Sequence, residues 1–103
     1  VAWPRVVPTG KVGSAGEGVN MKALNYYANL VDELLANGIT PAVTLYHWDL
    51  PQALLTNQTK GWYDVNPDGT PSKAIVQDFV DFADVVFKRL GGKVKTWITF
   101  NEA

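Results

Sequence analysis

The chain has 103 residues, 47% hydrophobic and 18% charged, a composition ordinary for a globular segment and too apolar for a disordered tail. Nine Lys and Arg against ten Asp and Glu leave a net charge of −1, which removes the electrostatic case for nucleic acid or an anionic membrane as a partner. With no Cys there are no disulfides or thiolate sites, one His cannot build a multi-His metal centre, and no apolar run reaches the ~18–20 residues of a membrane span.

The one Met is Met21, and Val1-Ala2-Trp3-Pro4 lacks the charged flank of a signal peptide. The chain is therefore expected to be an internal piece of a longer protein. Signals for a cytoplasmic or a secreted destination would then lie elsewhere.

Val1 to Val7 is short, apolar and interrupted by Pro4 and Pro8, which predicts the end of a strand entering a loop. Residues 9–20 hold four glycines and read as a loop, without the spacing of a phosphate-binding one. From Asn20 the period becomes helical. Leu24, Tyr27, Ala28, Val31, Leu34 and Leu35 draw one stripe, with Asn20 as N-cap and Gly38 just past the end. Pro41 to Trp48 predicts a buried strand, and Asp49 with Gln52 predicts a capping box on a short helical turn.

Residues 56–72 are polar, with Gly61, Pro67, Gly69 and Pro71, and read as a loop. Asn57-Gln58-Thr59 within it matches a glycosylation sequon, relevant only in a secreted protein. A second helix is predicted from near Thr70, with Pro71 at the first helical position, the stripe Ile75, Phe79, Phe82, Ala83, Val86 and Leu90, and Gly91-Gly92 ending it. Asp78, Asp81, Asp84, Lys88 and Arg89 lie off that stripe and read as a solvated face. Val94 to Ala103 predicts a closing strand.

Strand, helix, strand, helix, strand predicts an α/β unit with a parallel sheet and right-handed crossovers. A doubly wound sheet and an eight-stranded barrel both use this pattern. In either, ligands bind at the carboxyl ends of the strands. Three polar groups are predicted there: Arg5, His47 with Trp48, and Asn101 with Glu102.

Each has an ordinary explanation and a chemical one. An isolated Glu is usually a solvated carboxylate, yet Glu102 follows Trp97-Ile98-Thr99-Phe100, an apolar wall that would desolvate it toward the neutral form. Such a carboxyl can act as general acid and base. Asn101 either caps a turn or donates to a substrate hydroxyl. His47 and Trp48 are either structural residues or a surface for a sugar, since aromatic faces stack on sugar rings. Arg5 either snorkels to solvent or keeps a second carboxylate ionised.

Val1-Ala2-Trp3-Pro4-Arg5, Thr44-Leu45-Tyr46-His47-Trp48-Asp49-Leu50-Pro51-Gln52-Ala53-Leu54 and Trp97-Ile98-Thr99-Phe100-Asn101-Glu102 together resemble glycoside hydrolase family 1, the β-glucosidase family. The resemblance covers nearly the whole chain. The Tyr-His-Trp-Asp-Leu-Pro run is its most specific part. It implies a partial (β/α)8 TIM barrel, about strands 2 to 4 with two intervening helices, as a fragment (residues 1–103) of one catalytic domain.

It also implies retaining hydrolysis of an O-linked β-glycoside or oligosaccharide, with no metal or organic cofactor. Glu102 would be the acid/base and Asn101 would bond the sugar 2-hydroxyl. His47 and Trp48 would line the terminal-sugar subsite, and Arg5 would support a nucleophilic glutamate on a strand this chain lacks. Thioglucosidases of the family lack the acid/base carboxyl, so Glu102 favours O-glycosides; His47-Trp48 favours unphosphorylated sugars. Ala103 stands where the family usually has Pro. A non-catalytic carbohydrate-binding segment is the second reading. The 103 residues alone are expected to be inactive, and to aggregate or fold marginally through exposed strand edges.

Overall fold

The 9–20 loop delivers the chain to Asn20, whose side chain accepts hydrogen bonds from the Lys22 and Ala23 amides at 3.1 and 3.3 Å. That cap starts the long helix Met21–Ala36, and Gly38, at φ +72°, lets the chain turn away after it. A computed structural model describes residues 1–56 and 59–102; the sequon at Asn57 and the position of Ala103 lie outside them. The elements in chain order are α1 (Trp3–Val6), α2 (Met21–Ala36), β1 (Ala42–Tyr46), α3 (Ala74–Leu90) and β2 (Thr96–Phe100). Single 3-10 turns at Gln52–Leu54 and Gly61–Tyr63 lie between β1 and α3.

β1 and β2 pair in parallel, with Ala42 opposite Thr96 and Tyr46 opposite Phe100. α3 is the crossover between them, as the alternation of elements predicts. Two parallel strands joined through a helix are consistent with a part of the expected barrel.

Three expectations are corrected. The first predicted strand is not one: Pro4 lies in the first turn of α1, where its fixed φ and missing N–H suit a helix start. The Val1 nitrogen donates to the Thr44 carbonyl at 3.0 Å, and the Trp3 ring meets Tyr46 edge to face at 6.4 Å, so that segment still lies against β1. The described residues therefore hold two strands, not three. No capping box forms at Asp49. Its Oδ1 accepts from the His47 amide at 3.1 Å, and Pro51 precedes the 3-10 turn. Finally α3 begins at Ala74, because Thr70 and Pro71 are used elsewhere. The Thr70 amide and hydroxyl both donate to Asp68 Oδ1, and Pro71 bridges Val65.

The stripes of α2 and α3 face one core. Leu24, Ala28 and Val31 of the first meet Phe82, Val86 and Leu90 of the second, with Val43 and Leu45 of β1 and the fully buried Trp3. Trp3 stacks on Phe82 at 5.4 Å between ring centroids. Burying side chains of this size contributes roughly 1.5–3 kcal/mol each. Leu35, counted in the α2 stripe, is 41% exposed at the end of the helix.

The α3 charges are not all solvated. Asp78 is 7% exposed and accepts a hydrogen bond from Lys11 Nζ at 2.7 Å, which pins the glycine-rich loop to the helix. Lys88 and Arg89 do fall in the last turn, and Lys88 pairs with Asp84 on the surface.

Candidate active site

The parallel register brings two of the three predicted polar groups to one edge. His47 and Trp48 follow β1 directly, and Asn101 and Glu102 follow β2. The Asn101 amide donates to the Tyr46 carbonyl at 2.9 Å, one residue before His47, so the ladder extends to the site. Trp48 and Glu102 both turn into the left-handed region, at φ +68° and +48°. Large side chains seldom adopt it, and only when their surroundings hold them there. The His47 and Trp48 rings meet edge to face at 5.7 Å.

All of this faces solvent in the 103 residues. His47 and Glu102 are exposed, Asn101 is half-buried and Trp48 is 64% exposed. The apolar wall expected around Glu102 is not closed, because Ile98 and Phe100 are themselves 45% and 36% exposed. Covering them takes neighbours beyond these residues.

Arg5 is not at a strand end. It lies on α1 and is exposed. Among the described residues the ion pairs are Lys11–Asp78, Lys88–Asp84 and Lys93–Asp32, none of which involves Arg5 or Glu102. A cavity of about 520 Å³ lies between the glycine-rich loop and α3, lined by Val12, Ser14, Asp81 and Lys88 among others, and contains none of the predicted site residues. No group of three or more His, Asp or Glu side chains that could hold a metal is found among the described residues. No described helix is long and apolar enough to cross a membrane.

Beneath the edge lies a feature that reading for polar residues missed. The rings of Tyr46, Trp62 and Phe100 pack on one another at 5.1–5.5 Å, and Phe79 joins them from α3, 5.2 Å from Phe100. Trp62 comes from the loop read as polar. An indole beside Gly61, in a stretch otherwise short of large apolar side chains, was the available signal.

The description "Glycosyl hydrolase family 1" belongs to the family model that matches this chain, over residues 1–103. Beta-glucosidase 24 of Oryza sativa subsp. japonica is 49% identical over 99% of the chain and 18% of its own length. A protein named myrosinase from Brassica napus is 50% identical over 98% of the chain and 16% of its length. Among solved structures, a beta-glucosidase from Thermotoga maritima in complex with deoxynojirimycin superposes with a TM-score of 0.80 at 41% identity, over 99% of the chain and 20% of its own. The chain thus spans about a fifth of the length of the relatives it matches.

Proposed function

Because the chain belongs to glycosyl hydrolase family 1, we propose that it is one wedge of a barrel that hydrolyses O-linked β-glycosides with retention of configuration. The observation that carries this reading is the shared edge. A 2.9 Å backbone bond from Asn101 to Tyr46 holds the segment with His47 and Trp48 beside the segment with Asn101 and Glu102, at the carboxyl ends of parallel strands. Ligands in such architectures bind at that edge.

In this reading Glu102 protonates the glycosidic oxygen while a carboxylate from another strand attacks the anomeric carbon. Water then releases the terminal non-reducing sugar, with Glu102 acting as base. Carboxyl pairs working this way stand ~5–5.5 Å apart. Asn101 donates to the 2-hydroxyl, and His47 and Trp48 receive the terminal sugar. Arg5 keeps the nucleophile ionised. It can do so only once the missing strands surround it, which its present exposure allows. No cofactor takes part.

Identity over this stretch does not select a substrate, since a β-glucosidase and a myrosinase match almost equally. The preference for an oxygen linkage rests on Glu102 itself. The nucleophile of this reading comes from another strand, so the 103 residues alone are expected to be inactive on an aryl β-glucoside.

Leaving-group dependence in the full-length parent protein tests the acid role. Glu102→Ala is expected to slow a poorly activated β-glucoside by ~10²–10⁴-fold, the usual worth of general acid catalysis, and a dinitrophenyl glucoside far less. Equal loss on both removes the assignment. If neither is turned over by the unsubstituted parent but glucoside still binds, the chain belongs instead to a non-catalytic carbohydrate-binding barrel.

A further inference from the structure

We infer that Trp62 is a positioning residue for Glu102, acting through Phe100 to set the proton donor against the sugar-binding segment that follows β1. The inference rests on the acid/base reading above. Glu102 sits at φ +48°, in the left-handed region that non-glycine residues uncommonly adopt. Its chain neighbours offer two restraints. One is the Asn101 bond to Tyr46; the other is the Phe100 ring, which meets Tyr46 at 5.3 Å, Phe79 at 5.2 Å and Trp62 at 5.1 Å. Of these three rings, Trp62 is the one a loop supplies.

That loop is shaped to deliver it. Gly61 has φ +58°, and a Cβ there would lie 2.6 Å from Leu50 Cδ2. Leu50 closes the run His47-Trp48-Asp49-Leu50 after β1. The turn carrying Trp62 is therefore seated against the sugar-side segment, while its indole bears on the residue before Asn101 and Glu102. Trp62 also meets Trp3 and Tyr46, at 6.1 and 5.5 Å, so the inner end of the ring cluster is buried. Its Nε1 is buried without a hydrogen-bond partner among the described residues. Trp62 holds its neighbours by shape rather than by a polar contact, and another flat ring should replace it.

The experiment uses the full-length parent protein and two substrates, dinitrophenyl β-glucoside and methyl β-glucoside. In Trp62→Ala, kcat on the methyl glucoside should fall by ~10–100-fold, part of the range for general acid catalysis, with the dinitrophenyl substrate within ~3-fold of the unsubstituted protein. Trp62→Phe should restore most of the methyl glucoside rate. Parallel losses on both substrates, or none, overturn the inference. So does failure of Trp62→Phe to restore the rate while its melting temperature is unchanged. If Trp62→Ala does not fold, Phe100→Leu removes the ring contact and should show the same selective loss; equal loss there overturns the inference as well. Glu102→Ala is measured alongside. If it shows no leaving-group selectivity the acid assignment fails; if it does and the Trp62 and Phe100 variants do not, only the positioning role fails.

Discussion

β1 and β2 are both five residues long, both rich in β-branched and aromatic side chains, and hydrogen-bonded to each other in register. Their surroundings differ sharply. In β1, Val43 and Leu45 are buried between the exposed Ala42 and the half-buried Thr44 and Tyr46; in β2, every residue but the half-buried Trp97 is exposed. The strand sequences are alike because each is written for the interior of a sheet covered on its faces. What differs is how much of that cover these 103 residues supply. β1 has α2, α3 and Trp3, whereas β2 has β1 on one side and the Tyr46, Trp62 and Phe79 rings at one end.

The largest expected effect turns on that contrast. In the 103-residue chain, Leu45→Ala should cost ~2–5 kcal/mol, as for other buried Leu truncations, and Ile98→Ala under ~1 kcal/mol. In a complete barrel of the proposed kind, where further strands would bury β2, both should cost several kcal/mol. Urea unfolding of the four proteins reads this, and equal costs in the short chain would break the contrast. It would also show whether the exposed β2 edge leads to aggregation.

A smaller effect concerns the helix that covers β1. Lys11→Ala leaves the Asp78 carboxylate, 7% exposed, without its 2.7 Å partner. A loss of ~1–3 kcal/mol is expected, toward the lower end because the Lys11 head is itself largely in water. Adding Asp78→Leu should return part of it, as judged by denaturant midpoint. If Lys11→Ala is silent, the loop is held to α3 by packing alone.

Gly61→Ala probes the cover over the end of β2. An L-residue at φ +58° with its Cβ against Leu50 should cost ~1–2 kcal/mol. Tryptophan fluorescence should shift at the same time as Trp62 is displaced. A stability loss without a fluorescence change would separate Gly61 from the seating of Trp62.

The smallest effect is a pH response of the same loop. The Thr70 hydroxyl, and then the Thr70 amide, hold the Asp68 carboxyl below its ordinary value of 3.8. The fold therefore favours the ionised form. Its contribution is complete above that ordinary value and is lost as pH falls through the lower folded value. Protection of the Thr70 amide, taken relative to its intrinsic exchange rate at each pH, should fall on acidification through that window, and a flat protection profile would show that the turn does not depend on the Asp68 charge.

Periodicity alone made the two long helices legible, because an apolar stripe over four turns has few other ways to be buried. The Asn20 cap and the end at Gly38 were legible for a similarly local reason: a side chain or a glycine satisfies the helix end within three residues. The parallel pairing of β1 with β2 followed from the alternation of elements, and it carried His47 and Asn101 to one edge. Local rules were less decisive where two of them competed. Pro4 suited a strand interruption and a helix start equally, and the structure has the helix, with the Val6 and Val7 amides donating to the Ala2 and Trp3 carbonyls. Asp49 and Thr70 each had a capping role available and each made a shorter-range bond instead.

Sequence by itself thus determined the family, the two long helices, the parallel pair of strands around the second of them and two of the three polar groups at the sheet edge, since these depend on residue type, spacing and neighbours a few positions away. Tertiary structure alone decided that Asp78 is buried on Lys11, that Arg5 stands on a helix, that Glu102 is open to water, and that Trp62 reaches across to Phe100. These are contacts between segments 38 to 67 positions apart, or the lack of them. Such contacts depend on how packed elements meet in space, which no local pattern encodes.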